Sequence, residues 1–106
     1  MKAIQKVVVV LVLMVPAGWG ADAKAGKSAY DLNCRSCHGA DGTPDAMTAK
    51  IMKVEMKDLR DPSIQAANND ALKKTILEGK GKMKPVAGLS AAAVENVIAY
   101  VKTLKK

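Results

Sequence analysis

The chain has 106 residues, with 17 Lys or Arg against 10 Asp or Glu, for a formal net charge of +7. It contains two Cys, one His, one Trp, two Tyr and no Phe. Such a length supports a single domain, one Cys pair excludes a disulfide-dense scaffold, and so few aromatic side chains leave a small core underfilled.

The first 23 residues read as a secretory signal. "MKAIQK" is basic, Val7 to Val15 is an unbroken run of nine apolar residues, and "PAGWGADA" follows with small residues. A basic start, a short apolar core and a small-x-small site follow the order of a cleaved leader. Ala21 and Ala23 fill the two small positions, which places cleavage after Ala23. A retained anchor needs about 20 apolar residues, and Pro16 and Gly18 interrupt this run well before that. The expected mature domain is 24–106. Lys2, Lys6 and Asp22 leave with the signal, so 15 basic and 9 acidic residues remain, a net +6. Trp19 leaves too, and Tyr30 and Tyr100 become the only aromatics.

No strand pattern appears, and the fold class expected is all-α, about four helices. The first runs from about Ala25 to Asn33 and leads straight into Cys34. After a loop rich in Gly39, Gly42 and Pro44, "AMTAKIMKVEMKDL" shows apolar Met47, Ile51 and Val54, with Lys50, Lys53 and Lys57 at helical spacing on another face. Asp61-Pro62 reads as its stop. "NNDALKKTILEG" has an Asn cap at 68 or 69, a stop at Gly79, and Leu72, Ile76 and Leu77 as inward candidates. The last helix begins after the N-cap Ser90 and carries an apolar stripe at Val94, Val97, Ile98, Val101 and Leu104. Lys102, Lys105 and Lys106 follow where positive charge suits the helix dipole.

"CRSCHG" gathers both cysteines, Cys34 and Cys37, and the only histidine, His38. Cys-x-x-Cys-His is the attachment pattern of a c-type haem. Two thiols on one turn add to the vinyl groups along one porphyrin edge, and the next residue supplies a proximal imidazole. Three other readings compete. A redox dithiol belongs in a strand–helix context that this chain lacks. A tetrahedral zinc site needs four Cys or His ligands, and three exist. A disulfide here would close too small a loop to stabilise much. Export suits haem attachment, and one haem supplies the flat apolar body that the core is missing.

With one histidine, bis-histidine ligation is excluded, and methionine is the remaining good second ligand. The mature chain has Met47, Met52, Met56 and Met83. Three lie in the second helical segment, where methionine more often fills gaps in a core. Met83 lies in "GKGKMKPVAGL", a loop with Gly79, Gly81 and Pro85 that suits holding a sulfur in place. Met83 is the expected distal ligand, with Met56 and Met52 as alternatives.

Across essentially all of the mature part the chain resembles a small class I c-type cytochrome. The resemblance is carried by "AGKSAYDLNCRSCHG", "GKGKMKP" and "LSAAAVENVIAYVKTL". It implies a helical fold around one covalently bound haem c, with first and last helices crossing so that Gly26 and Tyr30 meet Tyr100 and its neighbours. It implies that a loop carbonyl, from Thr43 or Pro44, holds the other ring nitrogen of His38. Many relatives place proline directly after the ligand methionine, whereas Lys84 intervenes here between Met83 and Pro85. The function implied is a soluble periplasmic electron carrier that passes single electrons between redox proteins and is not an enzyme. A haem enzyme or gas sensor with a displaceable distal ligand is the alternative, as is a cytochrome subunit fixed in a larger oxidoreductase.

Lys80, Lys82 and Lys84 bracket Met83, and Lys50, Lys53 and Lys57 form a second row. They are expected either to steer docking to acidic surfaces of redox partners or simply to keep the protein soluble. An exported chain without a binding motif is not expected to bind nucleic acid, nor to insert in a membrane once its signal is gone.

Overall fold

A computed structural model describes residues 20–106, so most of the expected leader lies outside the described residues. Six helices follow in order: α1 Ala23–Asn33, α2 Arg35–His38, α3 Ala46–Met52, α4 Pro62–Gln65, α5 Asn69–Glu78 and α6 Ala91–Val101. The described residues form no strand, only an isolated Lys80–Met83 pairing. The all-α expectation holds. Six helices stand where about four were expected, because two four-residue helices, α2 and α4, interrupt the loops. Among the described residues no helix is long and apolar enough to cross a membrane.

The core is the crossing of α1 and α6. Ser90 caps α6 by accepting from the Ala93 N–H, and the stripe behind it buries Val94, Val97, Ile98 and Val101. The helix stops at Val101, but Leu104 stays buried in the following turn. On α1, Gly26 lets the two backbones touch. Any Cβ there would collide with the Asn96 carbonyl. One turn later Tyr30 is fully buried, its ring 5.1 Å from that of Tyr100 at 57°. Each fully buried side chain of this size contributes roughly 1.5–3 kcal/mol, so this face supplies much of the domain's stability.

α5 packs its Ile76 into the same cluster with Leu72 half-buried beside it, while Leu77 turns out to solvent, 46% exposed. Asn68 accepts from the Ala71 N–H to start α5, and Gly79 ends it.

The middle of the chain departs from expectation. The helix expected over 46–59 stops at Met52, because Lys53 takes a left-handed conformation (φ 53°, ψ 49°) and its N–H closes onto Ala49 and Lys50. Lys50, Lys53 and Lys57 therefore share no helical face. Asp61-Pro62, expected as a stop, is a start. Asp61 accepts from the Ser63 N–H, and Pro62 takes the first helical position, where its missing donor is no loss. Gln65 then locks this segment to α6, its amide donating to the carbonyls of Leu59 (2.8 Å) and Val101 (2.9 Å). Lys102 returns the tie by donating to the carbonyls of Gln65 and Ala67.

Candidate functional site

Cys34 ends α1 and begins α2. Its N–H donates to the Tyr30 carbonyl at 2.8 Å, and its carbonyl accepts from the His38 N–H at 2.9 Å. The second bond closes one helical turn, so Cys34, Cys37 and His38 lie on a single turn as the motif requires. Gly39 (φ 75°) terminates that turn, its N–H donating to Arg35. A Cβ at Gly39 would run into the Thr43 carbonyl, so the loop folds back tightly over this residue.

The turn is held from both sides. The Asp45 N–H donates to the Cys37 carbonyl at 2.9 Å, and Thr48 Oγ1 donates to the Ser36 carbonyl at 3.2 Å. Asp45 also caps α3 through the Thr48 N–H. From α1, the Tyr30 hydroxyl donates to the Gly39 carbonyl at 2.7 Å. That contact was not legible in the sequence, where Tyr30 reads only as a packing aromatic.

Both cysteines are free thiols. Burial, and secondarily Cys37, push the Cys34 thiol up to about 11. A redox dithiol needs a depressed, thiolate-forming cysteine, and this environment does the opposite. Burial also lowers the pKa of His38, which keeps its imidazole neutral, the form that binds metals. His38 Nδ1 is buried with no hydrogen-bond partner, so neither the Thr43 nor the Pro44 carbonyl supports it. Two free thiols on the same turn as a neutral imidazole are a donor set that fits a covalently attached haem.

Met83 sits on another element, the connection between α5 and α6. The Lys80 and Met83 backbones exchange two hydrogen bonds, 3.0 and 2.9 Å, around Gly81 and Lys82. Gly81 has φ 58°, as the first central residue of a type II′ turn requires. A Cβ at Gly79 would strike the Met83 carbonyl and Pro85, so that glycine lets the turn fold back. The Val86 N–H pins the far end to Ile76 at 2.9 Å.

Lys82 Nζ donates to the Met52 carbonyl at 2.6 Å, which ties the turn to α3 and, through Asp45 and Thr48, to the cysteine turn. No hydrogen bond among the described residues joins Met83 to α2 directly. The other methionines are held differently. Met47 is 65% exposed on α3 and Met52 ends that helix. Met56 lines an open cleft of about 450 Å³ with Glu55, Lys57, Asp58 and Asp61. Lys80, Lys82 and Lys84 are exposed around Met83.

Known proteins resemble this chain in sequence and in fold. Residues 21–101 match the family described as cytochrome C oxidase, cbb3-type, subunit III. Cytochrome c-554(547) of Halothiobacillus neapolitanus is 36% identical over 89 residues, 79% of this chain and 98% of that protein. The solved KustC0563 c-type cytochrome aligns with a TM-score of 0.64 at 25% identity, covering 76% of this chain and 98% of that one.

Proposed function

The chain belongs to the c-type cytochromes, and from that membership we propose that it is a soluble periplasmic carrier of single electrons, whose one haem Cys34, Cys37 and His38 would hold, with Met83 as its second protein ligand. The family implies a covalently bound haem c, whose iron, when bound, accepts and returns one electron without breaking bonds. The protein's residues do the rest. Cys34 and Cys37 would tether the group by their sulfurs, and His38, kept neutral by burial, would offer an imidazole nitrogen to the iron. The Lys80–Met83 turn holds a thioether on a backbone fixed by two hydrogen bonds. A ligand on so rigid a turn loses little entropy on binding and resists displacement by small molecules. The observation that carries this reading is the single helical turn that gathers all three of Cys34, Cys37 and His38.

The exposed lysines around Met83 supply positive charge for brief, steered contacts with acidic redox partners. The test is a redox titration of the purified exported protein with its ferrous form exposed to carbon monoxide. Reversible one-electron behaviour and refusal of carbon monoxide are expected. Rapid carbon monoxide binding would replace the carrier with a sensor or enzyme, and co-purification with an oxidoreductase would replace it with a fixed subunit.

A further inference from the structure

We infer that the exported chain is processed between Gly20 and Ala21, not after Ala23, so that Asp22 stays in the mature protein. This rests on the reading of the first residues as a signal. Asp22 belongs to the folded domain four times over. Its carboxylate accepts from the Lys24 and Ala25 N–H groups at 2.9 and 3.3 Å, capping α1. Its carbonyl accepts from the Gly26 N–H at 2.9 Å. Its own N–H donates to Asn96 Oδ1 on α6 at 2.8 Å, across 74 residues of sequence.

Asp22 thus fastens the start of α1 at the point where Gly26 lets that helix meet Asn96. Cutting after Ala23 would remove all four bonds. It would also place a new α-ammonium on Lys24 in the first turn of α1, a turn with no acidic residue, where the helix dipole disfavours positive charge. The sequence offers a second small-x-small pair, Gly18 and Gly20, three residues upstream. Gly20 is exposed, and among the described residues nothing lies within 4 Å of a Cβ placed there. Hydrolysis there, by a signal peptidase, adds water across the Gly20–Ala21 amide. Gly20 leaves with a carboxylate, and the new ammonium forms on Ala21, ahead of the cap. The stretch that matches the cytochrome family, 21–101, includes Asp22.

Intact-mass measurement and N-terminal sequencing of the exported holoprotein test this. The expected chain begins Ala21-Asp22-Ala23. A chain beginning at Lys24, or at any other residue within the leader, overturns the processing site while leaving export intact. A chain that still begins at Met1 overturns the signal reading itself. The Asp22→Ala holoprotein should have its unfolding equilibrium shifted about fivefold toward the unfolded state, the ordinary effect of losing a cap. An unchanged equilibrium would show that the fold has no use for Asp22 and remove the reason for the shorter leader.

Discussion

Replacing Gly26 with alanine isolates the contact on which the fold turns. A Cβ there falls 1.9 Å from the Asn96 carbonyl oxygen, 2.4 Å from its carbon and 3.0 Å from the Val97 nitrogen. These are backbone atoms, which cannot rotate away. Ordinary contact begins near 3.4 Å, so α1 and α6 must part by the shortfall, 1.5 Å. A gap of 0.5–1 Å already forfeits a quarter to a half of each atom pair's dispersion attraction. Tyr30, Val94, Val97 and Ile98, each no more than 1% exposed, belong to the cluster at this crossing. At about 1.5–3 kcal/mol apiece, losing half of their packing costs roughly 3–6 kcal/mol. Alanine's better helix propensity offsets ~1 kcal/mol, leaving a net loss of about 2–5 kcal/mol, a large part of a domain's usual 5–15 kcal/mol. Guanidinium unfolding of the holoprotein followed by far-UV circular dichroism measures this, with Ala25→Gly on the exposed side of α1 expected to cost only ~1 kcal/mol. If Gly26→Ala proves as stable as the wild type, or more stable as helix propensity alone dictates, the close crossing is wrong.

Three further outcomes follow from the same contacts. Tyr30→Phe removes the hydroxyl that donates to Gly39 and should cost about 1–2 kcal/mol in the same unfolding assay, since the carbonyl loses a partner in a half-buried place. Arg60, gripping Asp58 at 2.7 and 2.9 Å, holds the Asp58 carboxyl down to about 2, below its ordinary 3.8. A depressed carboxylate contributes stability above its unfolded pKa and loses it as pH falls through the folded one, so Asp58→Asn should flatten the stability profile between about pH 4 and pH 2 and leave its shape above pH 5 unchanged. Gly79→Ala must strain a backbone at φ 77° and ψ 174°, a region that only glycine enters freely at no cost of about 1–3 kcal/mol, and must push on the Met83 carbonyl. Weaker sulfur-to-iron absorption and faster carbon monoxide binding are expected, and an unchanged spectrum would show that the turn does not position Met83.

The sequence was most legible where local chemistry and tertiary structure agree. Ser90 and Asn68 are caps in the chain as in the fold, and the stripe from Val94 to Leu104 points inward as its spacing dictates. Cys34, Cys37 and His38 are spaced to share one turn of helix, and they do. The failures share a cause. Nothing local marks Lys53 for a left-handed conformation, so the apolar period beyond Met52 reads as continuing helix. Asp-Pro serves equally as a stop or as a cap followed by a first helical residue, and the hydrogen bond of Gln65 to Val101, 36 residues away in sequence, favours the second. The capping part that Asp22 plays was hidden by its place within the expected leader, because its partner Asn96 lies at the other end of the chain.

One spectrum tests most directly the proposal that His38 and Met83 are the two protein ligands of the iron. The ferric exported protein should show the weak near-infrared sulfur-to-iron band, and Met83→Ala should lose it while keeping its covalently attached haem. A wild type without the band, or a Met83→Ala variant that retains it, would contradict Met83 as the second ligand.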